Sequence, residues 1–169
     1  EYRNALRINP NYADAYYNMG NTYYRMNKVD DAISAYRSAL QVNPNYSIVY
    51  NNLGNALFYQ GKVEEAVKEY QKLLRFNPND IEVYNNLGLA FSQLESYDRA
   101  EEYLKKAIKI KPSIRTHHIL GIVFKEQDKF EEAVEQFLEV IRIDPDHADG
   151  HQKLSACYDA QGKIEEAKK

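Results

Sequence analysis

Four histidines invite a metal-binding hypothesis, and one cysteine is a candidate nucleophile. His147 and His151 are four residues apart, and Asp144 and Asp149 lie beside them in the sequence. Residues four apart share a helix face, so this spacing could bring two zinc ligands together. Cys157 stands alone, and the sequence contains no phosphate-binding glycine loop, nucleophile elbow or paired-carboxylate motif. Metal ligation is therefore a hypothesis that depends on the elements that carry these residues.

The composition is that of a folded domain without a marked charge excess. The 169 residues are 44% apolar, which is sufficient to build a buried core. The net charge of −3 gives no basic excess, so we expect no binding to nucleic acid. No run approaches the roughly 18 apolar residues of a spanning helix, so we expect no membrane insertion. The single cysteine excludes an internal disulfide, which favours the cytoplasm but leaves the compartment open.

Proline divides the chain at nearly constant intervals. The five prolines are spaced 34, 34, 34 and 33 residues apart, at Pro10, Pro44, Pro78, Pro112 and Pro145. They stand in similar phrases, such as RINPNY, QVNPNY and RFNPND. Because proline cannot continue a helix and disfavours helical geometry in the preceding residue, each phrase predicts a helix end followed by a new helix. The chain is therefore built from a repeated unit.

Alignment on the prolines shows that the same residue types recur in each unit. Position 1 of the successive units is Ala13, Ser47, Ile81, Ile114 and Ala148. Position 8 is glycine in the first four units and Ser155 in the fifth. Position 20 is always alanine, at Ala32, Ala66, Ala100, Ala133 and Ala167. Position 24 is large wherever the chain reaches it, at Tyr36, Tyr70, Leu104 and Phe137.

The spacing predicts two helices in each unit, which we name helix A and helix B. Positions 4, 7, 8 and 11 follow one face of an amphipathic helix A. A glycine inside that face costs about 1 kcal/mol of helix stability relative to alanine. We expect a close approach of the helix B backbone, near the alanine at position 20, to offset this cost. Asn27, Gly61 and Gly162 stand where helix A should end and tolerate a left-handed cap, whereas Glu95 and Asp128 are poorer caps.

This pattern resembles the tetratricopeptide repeat family, whose unit of about 34 residues is a helix–turn–helix with the same Leu, Gly, Ala and Pro positions. The resemblance covers essentially the whole chain and implies an all-α fold, a right-handed superhelical α-solenoid of tandem helix–turn–helix repeats. Position 4, often Trp in the family, is Tyr or His here, and repeat four starts one residue early. The predicted organisation is helix B of a truncated preceding repeat at 1–12, whole repeats at 13–46, 47–80, 81–113 and 114–147, and a partial repeat at 148–169. We expect these to be part of a longer array, or to have their end repeats covered by neighbouring molecules.

The resemblance implies that helix A lines the concave wall of the superhelix, where a ligand would bind. From spacing, positions 2, 5, 6, 9, 12 and 13 form a stripe beside the core face of helix A. Asparagine, a mediocre helix former, recurs on this stripe at Asn18, Asn21, Asn51, Asn52, Asn55, Asn85 and Asn86. A carboxamide can both donate to and accept from an extended peptide backbone, and the arrangement is similar to the asparagine ladder of O-linked N-acetylglucosamine transferase repeats. The alternative is a family-wide preference for asparagine with no ligand.

Aromatic and charged side chains occupy other positions of the stripe. Exposed aromatics beside amides are typical of binding surfaces, and those not needed for the core are Tyr17, Tyr24, Phe58 and Tyr59. Repeats four and five are more charged, and an acidic ligand could dock on Arg115, His118, Lys125 and Lys153. The alternatives are aromatic packing between neighbouring helices and a solvated face of mixed charge.

The repeat register also accounts for the histidines. His147 ends an inter-repeat turn, and His117 and His151 occupy position 4, which is Tyr elsewhere. We therefore expect no metal, no cofactor and no enzymatic activity. The predicted function is a protein–protein interaction scaffold that binds a peptide or protein segment in the helix A groove. The alternatives are a non-catalytic targeting arm of a larger, glycosyltransferase-like enzyme, and a self-association module that forms a homo-oligomer by end-to-end stacking of repeats.

Overall fold

The computed structural model describes residues 12–162. Its helices are α1 (Ala13–Arg25), α2 (Val29–Val42), α3 (Ser47–Tyr59), α4 (Val63–Phe76), α5 (Ile81–Gln93), α6 (Tyr97–Ile110), α7 (Ile114–Glu126), α8 (Phe130–Ile143) and α9 (Ala148–Ala160). Odd-numbered helices are helix A of their repeats, and even-numbered helices are helix B. No strand occurs between residues 12 and 162, so the prediction of an all-α fold is confirmed.

The chain divides into two compact units, Glu1–Pro78 and Asn79–Lys169. In unit 1, α1 packs against α2 and α3 against α4, while α1 and α2 both contact α3. In unit 2, α5 packs against α6, α7 against α8 and α8 against α9, while α5 and α6 both contact α7. Helices A and B of repeats one to four therefore pack as hairpins, and the A helices α1 and α3 touch in unit 1, as α5 and α7 do in unit 2.

A glycine of helix A meets a large side chain of helix B in each of the first four repeats. The pairs are Gly20 with Tyr36, Gly54 with Tyr70, Gly88 with Leu104 and Gly121 with Phe137. A Cβ atom built on the glycine would lie 2.5, 2.5, 2.5 and 2.7 Å, respectively, from the nearest atom of its partner. The close approach is therefore to a helix B side chain, not to the helix B backbone as expected. The alanines at position 20 are fully buried beside this contact in all four repeats.

Replacement of Gly54 by alanine tests which of two opposing effects on stability is larger, the higher helix propensity of alanine or its steric conflict with helix B. Helix propensity alone predicts a gain of about 1 kcal/mol. Contact with the Tyr70 ring predicts a loss, which we expect to dominate at about 1–3 kcal/mol because the buried ring has no space to move. Urea unfolding followed by circular dichroism measures the sign directly. A stabilised Gly54→Ala variant would contradict this account of the glycine.

The turn after each helix A passes through the left-handed backbone region. The φ angles are 81° at Gly61, 72° at Gly162 and 57° at Asn27, and glycine and asparagine both accept this conformation. Glu95 and Asp128 adopt the same conformation, with φ of 55° and 59°. At Glu95 the side chain has no local preference for it, and the strain is of order 1–3 kcal/mol. Packing of α5 and α6 therefore fixes the end of α5, although Glu95 does not favour the left-handed conformation required there.

Tyr46, the residue before α3, connects the turn between the first two repeats to helix α1. It makes no side-chain hydrogen bond to the first turn of α3. Its hydroxyl instead donates to Asp14 Oδ1 at 2.5 Å, and its ring centroid lies 5.4 Å from that of Tyr17. The hydrogen bond to the Asp14 carboxylate raises the pKa of Tyr46 to about 12. Tyr17, predicted as a groove residue, is thus held in place by the inter-repeat turn.

Two sequence predictions lie outside the described residues. These are the helix B of a preceding repeat predicted at 1–12, of which residues 1–11 are outside the described range, and the start of the fifth helix B with Ala167. Across residues 12–162, no helix combines the length and the apolar character needed to cross a membrane.

Candidate functional site

A cleft of about 270 Å³ opens on the helix A face of unit 1, and we name it the unit 1 cleft. Its lining residues are Tyr17, Asn21, Tyr24, Arg25, Tyr36, Asn52 and Asn55. Helix α1 supplies the first four, α2 supplies the tyrosine at position 24, and α3 supplies the last two. The cleft is therefore a product of the contact between the A helices of two successive repeats.

The lining residues of α1 form a row along the helix. Tyr17, Asn21 and Arg25 are four residues apart, and residues at this spacing are neighbours on one helix face. The amides of Asn21 and Asn52 are half-buried, whereas Arg25 is exposed. Arg25 has no ion-pair partner in the described part of the chain. The cleft thus combines amide groups with one unpaired cation.

A hydrogen-bond network joins the two repeats inside the cleft. The Tyr36 hydroxyl donates to Asn21 Oδ1 at 2.8 Å, and Asn52 Nδ2 donates to the same oxygen at 2.9 Å. Asn52 Nδ2 also lies 3.4 Å from the Tyr17 hydroxyl. Among residues 12–162, neither Asn21 Nδ2 nor Asn52 Oδ1 has a protein partner. Two amides in direct contact therefore keep one donor and one acceptor for a ligand.

The pairing of asparagine at position 9 with tyrosine at position 24 recurs in repeat two. There the Tyr70 hydroxyl donates to Asn55 Oδ1 at 2.8 Å. In repeats three and four the corresponding pairs are Leu89 with Leu104 and Ile122 with Phe137. An amide thus stands at position 9 where a buried tyrosine hydroxyl needs an acceptor. Asn21 and Asn55 serve the core as well as the cleft, and the 15-residue spacing of Asn and Tyr in the sequence could have revealed this.

We expect the pair of Asn55 and Tyr70 to behave as one unit in a double-mutant cycle. Asn55→Leu leaves the buried Tyr70 hydroxyl without its acceptor and should cost about 1–3 kcal/mol of unfolding free energy. Adding Tyr70→Phe removes that hydroxyl and should restore part of the loss, because repeat four carries a similar apolar pair, Ile122 and Phe137, at these positions. Urea unfolding of the wild type, both single variants and the double variant provides the coupling energy. Additive losses would mean that the hydrogen bond does not link the two positions.

Burial raises the pKa of Tyr36 to about 12, from 10 in an unfolded chain. A phenol whose pKa is raised in the folded state favours folding below pH 10, and this contribution is lost as the pH rises from 10 towards 12. The neutral hydroxyl is therefore the form that donates to Asn21 at ordinary pH.

The pH dependence can be tested with Tyr36→Phe. We expect the unfolding free energy of the wild type to fall relative to that of the variant as the pH rises from 9 to 11. The reason is that only the wild type must keep this buried phenol protonated. Urea unfolding at the two pH values measures the difference while other titrating groups cancel. A difference independent of pH would contradict the raised pKa.

Two exposed aromatic rings lie at the C-terminal ends of α1 and α3. Tyr24 is 38% exposed and Tyr59 is 64% exposed, and their ring centroids are 6.3 Å apart in an edge arrangement. Tyr24 lines the unit 1 cleft, and Tyr59 extends this aromatic surface beyond the lining. Rings left in water in this way are available to a partner.

Unit 2 has a cleft of about 290 Å³ at equivalent repeat positions, and we name it the unit 2 cleft. Its lining residues are Ile122, Lys125, Glu126 and Lys153. These are positions 9, 12 and 13 of repeat four and position 6 of repeat five. In unit 1 the same positions are Asn21, Tyr24, Arg25 and Asn52. The repeats thus form a cleft of similar volume from different chemistry.

Three of the four residues predicted to contact an acidic ligand are engaged within the protein, including Lys153, whose Nζ lies 3.9 Å from Asp149 Oδ1. Arg115 forms an ion pair with Glu82 and donates to Asn86 Oδ1 at 3.0 Å. His118 Nε2 lies 2.5 Å from Asp149 Oδ2. Neither Arg115 nor His118 lines the unit 2 cleft, whereas both predicted lysines do.

The structure divides the eleven residues predicted for the peptide groove. Those that line the unit 1 cleft are Tyr17, Asn21, Tyr24, Asn52 and Asn55. Those of unit 1 outside the lining are Asn18, Asn51, Phe58 and Tyr59. Asn86 belongs to unit 2, where Arg115 donates to it. The expectation that Asn85 faces a groove is wrong, because it is 0% exposed and offers a ligand no surface.

Sequence reasoning missed two residues of the unit 1 cleft. Arg25 occupies position 13 of the groove stripe, which could have identified it. Tyr36 stands out in the sequence only as a large residue at position 24, and its ring is buried. Its hydroxyl nevertheless reaches the cleft through Asn21, because a tyrosine can pack its ring and still present a polar group at the ring's end.

The histidines near α9 serve the local structure. His147 Nδ1 accepts the backbone N–H of Gly150 at 2.9 Å, and His151 Nε2 lies 2.8 Å from the carbonyl oxygen of Pro145. Within the described range, no group of three or more His, Cys, Asp or Glu residues could hold a metal ion. Cys157 is buried, and burial raises the pKa of its thiol.

Models of one protein family match most of the chain. Models described as tetratricopeptide repeat match residues 13–46, 35–68, 81–114 and 114–147, and one described as TPR repeat matches 54–95. These segments overlap or adjoin from residue 13 to residue 147. No curated protein sequence gives a significant match.

Several solved structures resemble most of the chain. MamA is 24% identical with a TM-score of 0.83, over 92% of this chain and 85% of MamA. YrrB is 24% identical with a TM-score of 0.77, over 98% of this chain and 86% of YrrB. A tetratricopeptide repeat protein from Parabacteroides merdae is 25% identical with a TM-score of 0.87, over 99% of this chain and 67% of that protein. These likenesses confirm the predicted fold class, an all-α helical repeat solenoid. The family models, which match residues 13–147, show that this chain belongs to the tetratricopeptide repeat family.

Proposed function

We propose that this protein is a non-catalytic interaction scaffold whose unit 1 cleft binds an extended segment of another protein. The observation that carries the proposal is the pair of contacting amides, Asn21 and Asn52, with one donor and one acceptor left over. An extended backbone offers the complementary C=O and N–H groups. The membership of the family supports a role in protein interaction at the coarser level.

The contact between the amides changes the expected mode of recognition. In the asparagine ladder suggested by the sequence, one asparagine of each repeat would contact the ligand separately. Packed helices lie about 8–10 Å apart and an extended chain advances about 3.3 Å per residue, so the contacts would fall on about every third ligand residue. Because Asn52 Nδ2 donates to Asn21 Oδ1 at 2.9 Å, the two carboxamides form one recognition unit instead. The Tyr36 hydroxyl holds the same oxygen and limits its rotation. A ligand therefore meets side chains whose conformational freedom is already reduced, which lowers the entropy cost of binding.

The remaining lining residues provide contacts for ligand side chains. Tyr24 and Tyr59 offer exposed ring surface next to the amides. Aromatic rings contribute large contact areas at interfaces with few rotatable bonds. YrrB, which shares the fold, is described as a TPR protein with an unusual peptide-binding site, and this supports peptide binding on such a scaffold. A targeting arm of a larger enzyme and a self-association module stay predictions from the sequence.

The proposal can be tested without knowledge of the natural partner. Random peptides selected by phage display on the folded protein would be synthesised, and their contacts mapped by amide chemical-shift changes. We expect the shifts to concentrate on Asn21, Tyr24 and Asn52. Asn52→Ala should then weaken binding by about two- to ten-fold, the effect of one lost hydrogen bond.

Asn18→Ala is the matched control, since it removes a half-buried asparagine at the same repeat position from outside the cleft lining. It should leave the affinity unchanged. Selected peptides that shift only residues outside the unit 1 cleft, or that bind Asn52→Ala and Asn18→Ala equally well, would overturn the proposal.

A further inference from the structure

We propose that the first turn of α9 is a pH-sensitive element, in which protonation of His147 removes the cap of the helix and loosens this turn from α7 and α8. The element involves no residue of the unit 1 cleft, so it stands independently of the function proposed for that cleft. Its parts are the imidazole of His147, the backbone N–H of Gly150 and the contacts that the turn makes with repeat four.

Three of the described helices begin with a side chain that caps their first turn, and each is the helix A of its repeat. Asp80 and Ser113 cap α5 and α7 by accepting a backbone N–H three residues later, both at 3.2 Å. His147 caps α9 in the same way, and its Nδ1 accepts the N–H of Gly150 at 2.9 Å. Carboxylates and hydroxyls as classes remain acceptors between about pH 5 and pH 8, the range in which histidines change charge. Among the caps of residues 12–162, His147 is therefore the one that titrates in this range.

Protonation of the His147 ring removes the acceptor on which the cap depends. A neutral imidazole has one acceptor nitrogen, and here it is Nδ1, because a backbone N–H points at it. In an imidazolium both nitrogens carry protons, so Nδ1 can no longer accept. The new positive charge would also lie at a helix N-terminus, where the macrodipole disfavours cations. The cap therefore stabilises the turn while His147 is neutral, and this contribution is lost as the pH falls.

Glycine at the third position of α9 makes room for this unusual cap. The other described A helices carry alanine, valine or threonine at the same repeat position. A Cβ atom built on Gly150 would lie 3.1 Å from His147 Nδ1 and 2.9 Å from Val140 Cγ1. Because glycine is a weaker helix former than any of those residues, α9 begins with a weaker first turn. This turn therefore depends more on its cap than the corresponding turns of the other A helices do.

On the side of α7, the His147 ring faces a second titratable ring. The ring centroids of His147 and His118 are 6.1 Å apart, and His118 Nε2 lies 2.5 Å from Asp149 Oδ2. Protonation of His118 strengthens its contact with Asp149, an effect of opposite sign that is small because their side chains are 21% and 46% exposed. Asp149 also lies 3.9 Å from Lys153, so it already faces two cationic partners. An imidazolium at His147 would add a further positive charge to this group.

The remaining charged groups around the turn have local contacts or lie in solvent. The last charged residues of α8, Glu139 and Arg142, pair with each other at 2.7 Å. In the turn before α9, the Asp144 carboxylate accepts a backbone N–H at 3.3 Å, and Asp146 is exposed. On α9 itself, His151 Nε2 lies 2.8 Å from a backbone carbonyl oxygen. That nitrogen must donate, since a carbonyl oxygen can only accept, so protonation of His151 preserves its contact.

The first turn of α9 makes the contacts that a lost cap would weaken. Gly150 is buried and packs on Val140 of α8, and Asp149 contacts His118 of α7. The same helix supplies Lys153 to the unit 2 cleft. Acidification should therefore open the start of α9 locally and alter one wall of that cleft, while α7, which Ser113 caps, stays closed.

Hydrogen exchange of the isotopically labelled protein, measured by NMR at pH 7.5 and pH 5.5, tests this element. Measured rates are divided into the intrinsic rates at each pH, so that protection factors can be compared. We expect the protection of the amides at residues 150–154 to fall by about two- to thirty-fold at pH 5.5, the range for loss of a helix cap. The amides of the first turn of α7 should keep their protection.

Three variants identify the group responsible. His147→Asn supplies a cap whose acceptor does not titrate, so the protection of residues 150–154 should be the same at both pH values. His151→Gln is the matched control, because it removes a histidine of the same helix whose contact survives protonation. It should retain the full pH response. His118→Gln should retain it as well, since His118 does not cap α9.

Equal protection of the wild type at the two pH values would overturn the proposal. A loss of the same size in His147→Asn would also overturn it, because the cap of that variant does not titrate. Abolition of the response in His151→Gln or in His118→Gln would assign it to another histidine and would count equally against His147.

Discussion

The contact between the glycine at position 8 and the large side chain at position 24 determines how closely each helix A lies on its helix B. In four repeats the glycine has no space for even a methyl group, because a ring or a leucine lies against it. Close packing of this kind makes the hairpin a rigid unit, and the distance between its helices cannot change without a change of side chain. The neighbouring A helices, and hence the clefts between them, depend on this spacing.

The same contact connects the core to the chemistry of the surface. Tyr36 packs its ring on Gly20 and directs its hydroxyl to Asn21, so a core residue helps to orient a cleft residue. Phe137 packs on Gly121 in the same way but has no hydroxyl. An asparagine at position 9 of this repeat would have no hydroxyl donor from position 24, and Ile122 occupies position 9 instead. Core and cleft positions must therefore change together in these repeats.

This dependence explains why two clefts of similar volume have different properties. The backbone geometry supplies the concavity in both units, whereas the side chain at position 24 decides whether an amide at position 9 is held. Where tyrosine is present, half-buried amides are fixed in one orientation and suit a polar backbone. In the unit 2 cleft, where position 24 is phenylalanine, the lining consists of one isoleucine, two lysines and one glutamate. A repeat scaffold can in this way carry separate chemistries on one chain.

The sequence by itself determined the fold class and the family, because prolines, glycines and alanines recur at positions where only certain residue types pack or break a helix. It also placed five of the cleft residues, including Asn21 and Asn52, on one face by helical spacing. The tertiary structure decided which of them meet: it buried Asn85, paired Arg115 with Glu82, and joined Tyr36 to Asn21 across two helices. Burial and partners depend on contacts between helices, and the spacing of residues within one helix does not contain that information.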